Sequence, residues 1–174
     1  LFFFLFVVLY LDFIKLIIPN TLYHEGLKIV PIVLLANIFL GIYYNLSVWY
    51  KVTNKTYYAA VISTIGALLT IILNIVLIPK YGYMGAAWTT LICYATMTLV
   101  SFYLGQHNFK INYSLRTISY YFLITLSVFF VSQMLTQKIY NIQIDNTILF
   151  LLYIIFMYME LRRIFFNKKK QILS

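Results

Sequence analysis

Two long apolar runs separated by a short polar connector most constrain the fold of this chain. The runs Tyr57–Ile78 and Tyr83–Leu104 each hold 22 residues without a formal charge. As a helix at about 1.5 Å per residue, each spans roughly 33 Å, enough to cross the hydrocarbon core of a bilayer. Pro79 is expected to end the first helix, Gly82 to allow the turn, and Gly85 to let another backbone approach closely. The sequence therefore predicts two membrane helices joined by a tight hairpin with a four-residue connector.

The composition requires a largely apolar surrounding. The chain has 174 residues, of which 63% are hydrophobic and 10% charged. A soluble domain of this length has no interior large enough to bury so much apolar surface, so we expect an integral membrane protein. The net charge of +9 comes mostly from short connectors and the C-terminal tail. It is therefore interpreted as a topology signal that contacts anionic lipid, and nucleic-acid binding is not expected.

The predicted fold class is all-α, a polytopic membrane helix bundle of about six transmembrane helices. The predicted spans are Leu1–Ile18, Ile29–Tyr50, Tyr57–Ile78, Tyr83–Leu104, Ile118–Leu135 and Thr147–Phe166.

Three consecutive spans each have one small or polar face, as expected for helices that pack on one side and meet lipid on the other. The predicted face of the second span is formed by Asn37, Gly41, Asn45 and Trp49. That of the third is formed by Ala59, Ser63, Ala67, Thr70 and Asn74. That of the fourth is formed by Gly82, Ala86, Thr89, Cys93 and Thr96.

The distribution of cations predicts the orientation. With the connectors at 51–56 and 105–116 and the C-terminal tail on one side, that side carries nine lysines and arginines. The opposite side carries three, at Lys28, Lys80 and Lys138. By the positive-inside rule, the richer side and the C-terminus are expected in the cytoplasm.

No arrangement typical of an enzyme or a metal site is found in the sequence. Its four carboxylates form no acid and base pair, and it has neither a phosphate-binding glycine loop nor a nucleophile elbow. Cys93 has no second cysteine to pair with, and His24 and His107 lack ligand-like spacing. We therefore expect no catalytic residues, no metal and no cofactor.

The hairpin carries a family resemblance. Asn74-x-x-Leu-Ile-Pro79 is followed by x-x-Gly-x-x-Gly-Ala-Ala-x-x-Thr90, with Asn45-Leu-Ser-Val-Trp-Tyr-Lys-Val-Thr-Asn-Lys-Thr56 upstream. This pattern resembles the polysaccharide exporters and O-antigen flippases of the multidrug/oligosaccharidyl-lipid/polysaccharide (MATE-like) superfamily. The matching residues run from about Lys28 to Gly105.

The resemblance implies a C-terminal fragment of a two-lobe flippase in a bacterial inner membrane. Such a protein moves an undecaprenyl-diphosphate-linked oligosaccharide between leaflets by alternating access, for O-antigen, capsule or exopolysaccharide synthesis. Residues 1–104 would hold the remaining helices of the C-terminal lobe, and residues 105–174 two extra helices with a basic cytoplasmic tail. The expected partners are the lipid-linked oligosaccharide, membrane lipids and an N-terminal lobe of the same polypeptide.

Candidate cargo contacts follow from this resemblance. Lys15 would meet the diphosphate charge, while Asn37, Asn45, Ser63 and Asn74 would line the cavity. The same residues also fit structural roles. Lys15 can pair with Asp12 three residues away near the interface, and the small polar residues can pack between helices.

Three other functions fit the sequence. A cation-coupled drug exporter of the same superfamily would share the hairpin. A membrane enzyme of polysaccharide assembly would need clustered acids or bases in long loops, and these loops are short. The third alternative is that the chain is a complete six-helix protein that dimerises, and not a fragment of a two-lobe transporter.

Overall fold

The computed structural model describes residues 1–11, 18–19, 24–108, 115–136 and 142–172, and among them no β-strand occurs. The helices are α1 Phe2–Leu9, α2 Val30–Leu46, α3 Val48–Val52, α4 Tyr57–Tyr81, α5 Tyr83–Asn108, α6 Leu115–Thr136 and α7 Ile142–Ile172, with a 3₁₀ turn over Gly26–Ile29 before α2. The predicted all-α class is confirmed.

Three helical segments are long and apolar enough to cross a membrane. They are Gly26–Val52, which includes α2 and α3, then Tyr57–Tyr81 and Tyr83–His107. Shorter apolar stretches occur within α6 and α7, at Ser119–Ser132 and Asn146–Glu160. By length and composition the chain has the character of a membrane helix bundle, and the number of six spans stays a prediction.

The hairpin between α4 and α5 is tighter than the sequence predicted. Pro79 does not end α4, which continues to Tyr81, so Gly82 alone joins the two helices. Proline lacks an amide hydrogen, so the bond to the Ile75 carbonyl is lost, and its ring disturbs the preceding turn, but the helical backbone continues for two residues beyond Pro79. The Gly82 amide closes the last turn on the carbonyl of Ile78 at 2.8 Å. Gly82 has φ +55°, a conformation that glycine adopts readily.

Residues Ile17–Ser114 form one compact unit, in which α5 packs against both α2 and α4. Its aromatic core is centred on Tyr43, Trp49, Tyr50 and Ile62. The Trp49 ring packs 5.1 Å from that of Tyr58, measured between ring centroids. It also lies against Gly105, where an added Cβ atom would stand 3.0 Å from Trp49 Nε1. A large aromatic ring of α3 thus packs against both the start of α4 and the end of α5.

Trp49 does not share the face of Asn37 and Asn45, contrary to the sequence interpretation. Its side chain is 2% exposed, whereas both asparagines are exposed. Each four-residue step advances about 40° around a helix of 3.6 residues per turn. Trp49 is three such steps from Asn37, so it has turned by about 120° toward the core. Residues spaced by four therefore drift around the helix, and after three steps they no longer lie on one face.

A second compact unit consists of Leu1–Leu16 and Leu115–Ser174. In it α1 packs on α6 and α7. Phe2, Phe6 and Tyr10 surround Phe150 of α7, with ring centroids 5.1, 5.6 and 6.1 Å away. The predicted assignment of residues 1–104 to one lobe and 105–174 to two extra helices stays a prediction.

Candidate functional site

One face of α2 exposes polar and small residues within a membrane-crossing segment. Asn37, Gly41 and Asn45 are exposed along it, and we call these three residues the asparagine face. Asn37 Nδ2 donates to the carbonyl of Val33 at 2.9 Å, and Asn45 Nδ2 donates to that of Gly41 at 3.0 Å. A Cβ atom added at Gly41 would meet nothing within 4 Å, so the space between the two amides is open. The opposite side of α2 buries Ala36, Tyr43 and Leu46.

The asparagine face is chemically unsuited to lipid. Each asparagine side chain donates from Nδ2 to a main-chain carbonyl of its own helix. Its own Oδ1 atom takes no part in that bond and can accept a hydrogen bond from another group. A polar group transferred into hydrocarbon without a hydrogen bond costs about 2–7 kcal/mol. Polar residues within membrane helices accordingly face protein or a water-filled cavity. This face should therefore contact protein or water, whereas the aliphatic side of α4 around Ile71 and Ile75 suits lipid.

The other predicted cargo residues lie elsewhere. Lys15 is outside the described residues. Ser63 on α4 is exposed, and it lies near the hydroxyl of Tyr43, whose side chain leaves α2 on the side opposite the asparagines. Asn74 is half-buried, and its Oδ1 atom has no hydrogen-bond partner among the described residues. Within the described chain, Asn37 and Asn45 therefore share a face that Ser63 and Asn74 do not join.

The contact between α4 and α5 includes Thr70 and Cys93 of the predicted faces and the predicted close approach at Gly85, and it adds Gly66. A Cβ atom at Gly66 would stand 2.6 Å from Met97 Sδ, and one at Gly85 would stand 2.5 Å from the carbonyl oxygen of Leu77. Thr70 Oγ1 donates to Cys93 Sγ at 3.2 Å. Of the face predicted for α4, Ser63 and Ala67 are instead exposed. Gly66 was overlooked although glycine permits the closest helix approach.

A buried polar cluster in the other unit was also missed. Asn146 of α7 is 5% exposed; its Nδ2 donates to the Leu9 carbonyl at 3.0 Å, and its Oδ1 accepts from Ser132 Oγ at 2.8 Å. Nearby, Thr125 Oγ1 and Tyr153 Oη lie 3.2 Å apart. The sixth predicted span starts at Thr147, so Asn146 was left just outside it.

No metal-binding group emerges from the described part of the chain. Among those residues, no three His, Cys, Asp or Glu side chains lie together as possible ligands. Cys93 is a buried free thiol whose Sγ donates to the Gly66 carbonyl at 3.3 Å. The polar groups that could bind a ligand are therefore neutral hydrogen-bonding groups, and the asparagine face is the candidate functional surface.

Comparisons with protein-family models, curated proteins and solved structures give no match to this chain.

Proposed function

We propose that this chain is part of an inner-membrane flippase that translocates an undecaprenyl-diphosphate-linked oligosaccharide in bacteria. The observation that carries the proposal is the asparagine face, which presents two amides from a membrane-crossing helix with open space between them. The resemblance of the Asn74–Thr90 hairpin to polysaccharide exporters supplies the cargo class. A six-helix protein whose asparagine face only packs against another helix is the competing explanation, and the experiments below separate the two.

The physical task of such a protein explains the chemistry of the face. A glycan loses hydrogen bonds to water when it crosses the hydrocarbon core, and polar groups of the protein must replace them. Asn37 and Asn45 lie eight residues apart, roughly 12 Å along the helix axis, which suits an extended polar cargo. We assign to them hydrogen bonds to sugar hydroxyls, and to Lys15 the charge of the diphosphate. No covalent step is needed.

The proposed arrangement in the membrane follows the charge asymmetry. The connectors at 51–56 and 105–116 and the C-terminal tail would be cytoplasmic, and the Gly82 turn periplasmic. Alternating exposure of the asparagine face to the two sides would require a second lobe that closes over it. In the resembled family this lobe belongs to the same polypeptide.

An export assay tests the proposal. Complete reading frames carrying N37L, N45L or both should restore surface glycan poorly in a strain that lacks its own flippase. The matched control is T64A, because Thr64 is also exposed and donates to the Ala60 carbonyl of its own helix at 2.8 Å. Loss of export with normal membrane levels supports a cargo role. Full export by the double variant contradicts it, and transport of cationic dyes instead of glycan would favour the drug exporter.

A further inference from the structure

The register of the α4–α5 hairpin places Asn74 opposite Thr89. Three contacts fix this register: Gly66 with Met97, Thr70 with Cys93, and Leu77 with Gly85. The two helices run antiparallel from Gly82. One turn toward the C-terminus of α4 therefore corresponds to one turn toward the N-terminus of α5. Asn74 is one turn after Thr70, and Thr89 is one turn before Cys93. Thr89 also lies angularly between Gly85 and Cys93, both of which contact α4.

Both residues hold a buried oxygen without a partner. Thr89 is 1% exposed, and its Oγ1 atom makes no hydrogen bond among the described residues; the same is true of the buried Asn74 Oδ1. The neighbouring Thr90 behaves differently, since its Oγ1 donates to the Ala86 carbonyl at 3.0 Å. The missing bond is thus particular to Thr89 and does not reflect threonines on α5 in general. The two oxygens therefore make no direct hydrogen bond to each other.

We propose that Asn74 and Thr89 form a binding site for a single water molecule between α4 and α5. Asn74 Oδ1 only accepts, whereas the Thr89 hydroxyl both donates and accepts. A water can donate to Asn74 and either donate to or accept from Thr89, which satisfies both groups where lipid cannot.

The chemistry disfavours a cation at this position. The runs that form α4 and α5 contain no carboxylate. Two neutral oxygens provide fewer ligands than hard cations require, and an uncompensated charge at membrane depth is costly. The site therefore takes a neutral hydrogen-bonding molecule, and water is the one small enough for a seam that Gly85 keeps tight. This assignment is independent of the cargo proposed above.

Water-edited solid-state NMR of the complete protein in lipid bilayers tests the site. Magnetisation should pass from water to Thr89 rapidly, and more slowly to Thr90, which serves as the internal control. In N74L, the rapid transfer to Thr89 should be lost, while T64A should retain it. The absence of rapid transfer to Thr89 in the unaltered protein would overturn the proposal. So would its persistence in N74L, because the water would then not be shared.

A thermal comparison provides a second readout. When both polar groups are removed, no buried oxygen is left that needs the water. The double variant N74L/T89V should therefore have a melting temperature no lower than that of the less stable single variant. Effects of the two substitutions that simply add would contradict a shared site.

Discussion

The Asn146 side chain donates to the main-chain carbonyl of Leu9 at 3.0 Å, although 137 residues separate them in sequence. Leu9 is the last residue of α1, where carbonyls lack partners within the helix. The amide oxygen of Asn146 in turn accepts from Ser132 of α6. One buried side chain therefore joins three helices through two hydrogen bonds.

Replacement of Asn146 by leucine should destabilise the protein. N146L removes both hydrogen bonds and leaves the Leu9 carbonyl and the Ser132 hydroxyl without this partner, at a cost of about 1–3 kcal/mol. Thermal unfolding in detergent measures the effect. S127A is the matched control, because Ser127 is exposed and donates to the Leu123 carbonyl of its own helix. An N146L protein that melts with the control would show that the tie contributes no stability.

Gly85 should tolerate no side chain. A Cβ atom there would lie 2.5 Å from the Leu77 carbonyl oxygen, so G85A must push two backbones apart and should cost about 1–3 kcal/mol. At Gly41 the same atom meets nothing within 4 Å. G41A should therefore be neutral or stabilise by up to about 1 kcal/mol through helix propensity. Equal melting temperatures for the two variants would contradict the close contact between α4 and α5.

Gly66 should be less sensitive than Gly85. Its nearest neighbour is the Met97 side chain, at 2.6 Å from an added Cβ atom, and methionine can change rotamer where a backbone carbonyl cannot. We expect G66A to lower the melting temperature by less than half as much as G85A. The variant M97A should relieve most of that loss when combined with G66A. A G66A defect as large as that of G85A would show that Met97 is held rigidly.

The sequence predicted the helices well because long uncharged runs leave few alternatives. The second, third and fourth predicted spans all correspond to helices that extend beyond them, since hydrophobicity marks the apolar part and helices continue into the interface. Their ends were less predictable. Pro79 was expected to stop α4, but the helix continues to Tyr81 although the proline removes one hydrogen bond of the ladder.

Which residues face which neighbour was harder to predict. The spacing of Asn37 and Asn45 identified one exposed face of α2, yet it placed Trp49 there as well. On α4, Gly66 packs against α5 while Ser63 does not, because the choice depends on where the neighbouring helix lies. Asn146 was left just outside the sixth predicted span, since its role depends on Leu9 and Ser132, which are distant in sequence. Sequence periodicity describes the faces of a single helix, whereas these contacts depend on how two helices pack against each other.

The buried thiol provides the background for a decisive accessibility experiment. Cys93 is the single cysteine of the chain and is 4% exposed. It should react slowly with a membrane-impermeant maleimide in the folded protein. A C93A background removes even this reaction, so that any labelling reports only on a cysteine introduced elsewhere.

Thiol labelling of the asparagine face in intact membranes tests the central claim most directly. Cysteines at positions 37 and 45 (N37C and N45C) should react with the maleimide, and excess lipid-linked oligosaccharide should slow that reaction. I71C is the matched control, because Ile71 is exposed in the unit but aliphatic and suited to lipid, so it should stay unlabelled. Labelling of N37C and N45C, with protection by the cargo, is the result that a water-accessible transport surface predicts. If both remain as unreactive as I71C, the asparagine face is buried against protein or lipid, and the proposed transport surface is wrong.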